Sequence, residues 1–98
     1  MTINKEVNGS KLNIALVGRL DTTTSPELEK ELKASMDDIQ ELVFDLTQLE
    51  YISSAGLRVL LAAQKTMNRQ GSMIVCNVNE TVMEVFEVTG FVDLLTIV

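Results

Sequence analysis

The sequence predicts an α/β fold: one mixed β-sheet of about four to five strands with α-helices packed against it, in the order ββαβαβαβ. Three observations carry that reading. An Asn8-Gly9 pair separates two strand-like segments, which marks a hairpin. Further on, short apolar runs alternate with segments whose apolar residues recur at helical spacing, a succession that implies right-handed crossovers and parallel pairing. Finally, 98 residues can bury one modest core, so residues 1–98 read as one domain.

The first strand covers residues 2–7 and alternates weakly through Ile3 and Val7. Asn8-Gly9 supplies the two positive-φ positions of a type I′ turn. Leu12 to Val17 is almost continuously apolar, so the second strand is the more buried one. Gly18-Arg19-Leu20-Asp21 then leads into a polar stretch from Thr22 to Pro26. Pro26 suits a first helical turn, which Ser25 can cap or Thr24 and Glu27 can close as a capping box. Leu28, Leu32, Met36 and Ile39 keep helical spacing, giving a first helix over about residues 25–38.

Leu42 to Leu46 reads as a short apolar strand. A second helical pattern runs from Ser54 to about Gln70, with Gly71 as its stop. Its core stripe is Gly56, Leu57, Leu60, Ala63 and Met67, while Arg58, Lys65 and Arg69 share the opposite sector. Residues 73–78 form another buried strand, with Cys76 a small core residue in it. Asn79 caps a third helix carrying Val82, Val85 and Phe86 on one side and ending at Gly90. Leu94 to Val98 suits a final strand.

Composition removes several chemistries. The chain has no histidine, which excludes Ser-His-Asp and Cys-His catalysis and His-ligated metals. One cysteine makes neither an internal disulfide nor a CxxC pair. Net charge −6 and a pI near 4.5 disfavour nucleic acid and anionic membranes as partners. No GxxxxGK[ST] or GxGxxG motif occurs, so no nucleotide cofactor is expected. Asp37-Asp38 reads as a solvated turn, not a metal site. No apolar run approaches a membrane span, and the first residues lack the apolar stretch of a secretory signal, so the expected compartment is the cytoplasm. A binding module is the expected class, not an enzyme.

The segment Asp45 to Arg58 carries the most information. A buried strand ends at Leu46, a loop follows, and Ser53-Ser54 opens a helix, the place where open α/β sheets gather their sites. One serine can cap the helix while the other points outward. A phosphate there would add about −1.5 to −2 charges at the positive end of the helix dipole. A plain N-cap explains the same two residues. Gly56 within the first turn costs helix stability, and close packing against a strand or a close partner backbone would account for it.

These residues resemble a known family. DLTQLEYISSAGLRVLL (45–61) is similar to the signature of STAS domains, the sulphate-transporter and anti-sigma-factor-antagonist modules. GRLDTTTSPELEKEL (18–32) and GSMIVCNVNETVMEVFEVTGFVDLL (71–95) resemble two further blocks of that family. The resemblance implies a free-standing bacterial anti-sigma factor antagonist. Its unphosphorylated form would bind an anti-sigma factor that is also a serine kinase, freeing the sigma factor. Phosphorylation would break the complex, and a PP2C-type phosphatase would reverse it. The family's phosphoserine stands two residues before the signature glycine, which places it at Ser54, because Gly56 is that glycine. Ser53 occupies the position where members usually carry Asp, and it is a rival phosphosite. The implied partner surface comprises Asp21, Thr22, Thr23, Ser53, Ser54, Gly56 and Arg58. Within the family, the alternative is a non-phosphorylated accessory or scaffold subunit, for example of a lipid transporter or signalling complex.

Overall fold

The computed structural model describes residues 1–98. In chain order its elements are β1 (Thr2–Asn8), β2 (Lys11–Leu20), α1 (Ser25–Ser35), β3 (Glu41–Ile52), α2 (Ser54–Gln70), β4 (Ser72–Cys76) and α3 (Glu80–Thr89), then a 3-10 turn at Phe91–Asp93. They form one mixed sheet of order β1-β2-β3-β4, antiparallel between β1 and β2 and parallel elsewhere.

Alternation explains which face of the sheet is covered. Leu12, Ile14 and Leu16 of β2 are buried with Leu42, Phe44 and Leu46 of β3 and Met73 and Val75 of β4. The three helices complete the same cluster, with Leu28 and Leu32 from α1, Leu57, Leu60, Ala63 and Met67 from α2, and Val82 and Phe86 from α3. Val59 of α2 also belongs to this core, a position outside the predicted stripe. The opposite sheet face, including Ala15, Val43 and Ile74, is only half-buried. Cys76 lies there too, beside Asp45 in the register and not in the core as expected. Burial raises its thiol pKa and the Asp45 charge adds to that, so it stays protonated.

Four boundaries differ from the sequence reading, each for a local reason. The hairpin loop is Gly9-Ser10, since Asn8 pairs with Lys11 and only Gly9 has positive φ (61°), the pattern of type II′ and not I′. Helix α1 stops at Ser35 and the chain turns through Asp38 at φ 66°. Gln70 Nε2 donates to the Met36 and Ile39 carbonyls (2.9 and 2.7 Å), which ties the turn after α1 to the end of α2. Strand β4 ends at Cys76 because Asn77 is left-handed (φ 57°). The predicted final strand is a single bridge between Val75 and Ile97. Gly90 turns left-handed, and the Leu94 and Leu95 amides both donate to the Phe91 carbonyl as the 3-10 turn closes, so only residues 96–98 reach β4.

The largest difference lies in β3, which runs to Ile52 and not to Leu46. Its register against β2 slips twice, from Ala15–Asp45 to Val17–Gln48, and from Gly18–Leu49 to Arg19–Tyr51. Two bulges therefore absorb extra residues on β3. Burial changes from every second residue to every third, through Leu46, Leu49 and Ile52. What read as a loop is strand.

Candidate functional site

Because β3 stays in the sheet to Ile52, the next residue lands directly beside the end of β2. The Ser53 amide donates to the Leu20 carbonyl (2.9 Å), the last link between the two strands. Arg19 stacks over the Tyr51 ring, 4.3 Å from its centroid, and reinforces the same junction. The loop after β2 and the turn after β3 are thereby fixed side by side at the carboxyl edge of the sheet. Tyr51 is 36% exposed there, a surface feature that the sequence reading passed over because it lay in a supposed loop.

Ser53 is the N-cap of α2. Its φ/ψ of −97°/176° is extended, its carbonyl accepts the Leu57 amide, and its Oγ accepts the Gly56 amide at 3.4 Å. Ser54 is the first helical residue and is exposed. No acidic residue occupies the first turn, so the positive end of the helix dipole there is uncompensated. The two serines thus divide the roles: one is spent on the backbone, and the other presents a free hydroxyl.

Gly56, expected among partner contacts, is buried instead. A Cβ at this position would lie 2.8 Å from Leu20 Cγ and 2.9 Å from Ile52 Cγ1. The glycine lets the first turn of α2 settle onto the ends of β2 and β3, and it lies beneath the surface that carries Ser54.

Asp21 organises the neighbouring loop. Its Oδ1 accepts the amides of Thr23 and Thr24 (3.0 and 3.1 Å), and its own amide donates to Thr24 Oγ1 (2.9 Å). Thr24 Oγ1 also lies 2.8 Å from the Arg19 carbonyl, to which it donates. Neither predicted cap forms: Thr24 makes no cap bond to α1, and Ser25 Oγ is buried without a partner. The Thr24 amide is the main reason that the Asp21 carboxyl titrates below its ordinary range, with Thr23, the Thr24 hydroxyl and Arg19 adding to it and burial opposing. Asp21 is consequently a held anion beside the turn, with Thr22 and Thr23 exposed next to it.

Arg58 is exposed one turn after Ser54 and has no carboxylate within ion-pair distance; Lys65 and Arg69 are likewise exposed and unpaired. Arg58 and Thr22 line one groove between α1 and α2. The predicted residues therefore gather on one edge, apart from Gly56, which supports them from below. No helix is long and apolar enough to cross a membrane.

Residues 2–98 match the sequence profile of the STAS domain. BtrV of Bordetella bronchiseptica, provisionally assigned as an anti-sigma factor antagonist, is 39% identical over 84 residues, covering 84% of this chain and 72% of BtrV. The anti-sigma-B factor antagonist of Bacillus subtilis is 28% identical over 99% of this chain and 92% of its own. Among solved structures, the anti-sigma factor antagonist SpoIIAA in its unphosphorylated form superposes with a TM-score of 0.85 at 19% identity, covering 99% of this chain and 88% of that one. The Bacillus cell fate determinant SpoIIAA in its phosphorylated form superposes with a TM-score of 0.77 at 18% identity, over 99% of this chain and 91% of that one.

Proposed function

This chain belongs to the STAS domain family, and on that premise we propose that it is an anti-sigma factor antagonist acting in the cytoplasm by partner switching. In its unphosphorylated form it binds an anti-sigma factor that is also a serine kinase, which frees the sigma factor. The observation that carries the reading is Ser54: exposed, free of capping duty, at the first position of α2, and beside the anchored Asp21 loop. The kinase transfers phosphate to Ser54, and a PP2C-type phosphatase removes it. The partner surface comprises Asp21, Thr22 and Thr23, the Ser53-Ser54 turn and Arg58. A phosphate added to this edge introduces like charge and a strongly hydrated group into the interface, which ejects the partner. Ser53 is the weaker phosphosite because its Oγ already serves the Gly56 amide. The protein is in this account the substrate of a kinase and does no catalysis itself.

Phosphosite mapping on protein isolated from its host with phosphatase inhibitors tests this. The tryptic peptide from Ala34 to Arg58 contains both candidate serines, Ser53 and Ser54, and fragmentation separates them. Phosphate on Ser54 is the expected result. An unmodified peptide under every growth condition would replace the switch with a constitutive accessory or scaffold subunit, in which Ser54 is only the start of a helix.

A further inference from the structure

The two edges of the sheet differ. At β4 the chain covers its own edge: the Val75 amide donates to the Thr96 carbonyl (2.9 Å) and the Val98 amide to the Val75 carbonyl (3.0 Å). β1 has no such cover. The ladder alternates from the Asn8–Lys11 pair beside the two-residue turn, so Thr2, Asn4, Glu6 and Asn8 exchange bonds with β2. The amides and carbonyls of Ile3, Lys5 and Val7 therefore face outward, and no turn or loop bonds to them. An edge of this kind accepts another strand unless proline, a bulge or charge blunts it. β1 contains neither proline nor bulge. Its lysine is drawn off the edge, because Lys5 Nζ donates to Glu31 Oε2 (3.2 Å) and Ser35 Oγ (2.8 Å) of α1. Glu6 points to the other face, where Asn8 Nδ2 donates to it (2.8 Å). Val7 is left 55% exposed on the helix-covered face, beyond the core.

We propose that a second copy of this chain pairs antiparallel along β1, about a two-fold axis at Lys5, so that the two sheets become one. The occupant follows from the self-complementarity of the edge. With the axis at Lys5, Ile3 stands opposite Val7 of the second copy and Val7 opposite its Ile3, so every outward residue is paired and the exposed valine gains an apolar neighbour. On the other face Asn4 stands opposite Glu6 of the second copy, an amide against a carboxylate. The two Lys5 side chains meet at the axis, and in each chain Glu31 offsets the charge. An axis at Asn4 or Glu6 would instead set Lys5 against Ile3 or Val7 and lose a pair. β1 lies along Lys11–Val17 and stops short of Leu20, so the pairing leaves the Asp21 loop and Ser54 of both copies open.

Sedimentation equilibrium of the full chain from micromolar to millimolar concentration, in about 0.15 M NaCl, tests the edge together with amide shifts of the ¹⁵N-labelled protein. A monomer–dimer equilibrium is expected, with concentration-dependent shifts at Ile3, Lys5 and Val7 and none at Ser54. Val7→Pro removes an outward amide that β2 does not use, and it should abolish the dimer while the monomer stays folded. Val7→Lys, which leaves the backbone unchanged, should raise Kd about tenfold. Glu31→Gln leaves Lys5 uncompensated at the axis and should raise Kd about threefold at low salt, less at high salt. A dimer that survives both Val7 variants would overturn the proposal, as would shifts confined to another surface. A monomer at every concentration would also overturn it and leave the edge to an extended segment of a different protein.

Discussion

At Gly56, two opposing effects decide what a methyl group would do. Alanine is the better helix former by about 1 kcal/mol. Against that, the new Cβ would press on Leu20 Cγ at 2.8 Å, a branch carbon of a fully buried side chain that has nowhere to move, and overpacking of this kind costs about 1–3 kcal/mol. Gly56→Ala should therefore lower unfolding stability, by about 1 kcal/mol as the balance of those terms, read as a reduced urea midpoint at unchanged slope. The adjacent serines supply a sharper comparison. Ser53→Ala removes the Oγ that accepts the Gly56 amide, a loss of about 0.5–1 kcal/mol given its 3.4 Å length. Ser54→Ala removes an exposed hydroxyl that bonds to nothing and should leave stability within about 0.5 kcal/mol of the parent. Equal losses in the two variants would contradict the division of roles. The pair Ser53-Ser54 was legible in sequence as one cap and one free hydroxyl, and the polar run from Asp21 as turn or cap hydrogen bonding, but not which of its residues would organise the loop. Five consecutive residues from Asp21 to Ser25 can each cap a helix, and only the point at which β2 leaves the sheet selects Asp21.

Among the elements, β3 departs most from what its sequence suggests. Leu42, Phe44 and Leu46 alternate as a strand should, and then the apolar residues fall at intervals of three, which matches neither strand nor helix until two bulges are allowed. Bulges depend on the partner strand, so nothing local announces them. The last residues differ for a nearer reason: their apolar run reads as a strand, but the turn at Phe91 takes the Leu94 and Leu95 amides and leaves one bridge. Helices α2 and α3 were legible because their caps, Ser53 and Asn79, and their glycine stops are local signals. Asn79 adds what no local pattern predicts: its Nδ2 donates to the Leu49 carbonyl at 2.6 Å, holding the bulged part of β3. Asp45 does similar work at the first bulge, accepting from the Thr47 hydroxyl and amide and from Asn77 Nδ2 after β4. These bonds, the Thr47 hydroxyl first, depress its pKa in the folded protein. A carboxyl depressed on folding stabilises fully above its unfolded value, near 3.9, and loses that contribution as pH falls through the lower folded value. Asp45→Asn should thus lower stability at neutral pH and narrow the gap between urea midpoints measured near pH 6 and near pH 3. A gap as wide as that of the parent protein would show that Asp45 does not hold the bulge.

For the molecule as a whole, charge is distributed in a way that suits a switch built on a rigid frame. All eight Lys and Arg residues lie at or before Arg69, while the last 28 residues after Gln70 carry only acids, Glu80, Glu84, Glu87 and Asp93. No cation of that segment can compete for a new phosphate, and the cationic side chain closest in sequence to Ser54 is the unpaired Arg58. Ser54 itself touches none of the 23 core positions through a side-chain hydrogen bond, and α2 below it is fastened by Ser53, Gly56 and Leu57. A negative charge at this position should consequently alter the surface without loosening the fold. An acidic residue in the first turn of a helix is favourable by about 0.3–1 kcal/mol, so Ser54→Asp should keep or slightly raise the thermal midpoint. Amide shifts of Leu12, Phe44, Val75 and Phe86 should stay where they are. The same variant should lose affinity for the anti-sigma factor proposed as its partner, while Ser54→Ala retains it. Lost binding together with a lowered midpoint and displaced core shifts would point to partial unfolding as the cause of release, and the rigid switch would fail. Retained binding by a folded Ser54→Asp would return the protein to the constitutive scaffold reading.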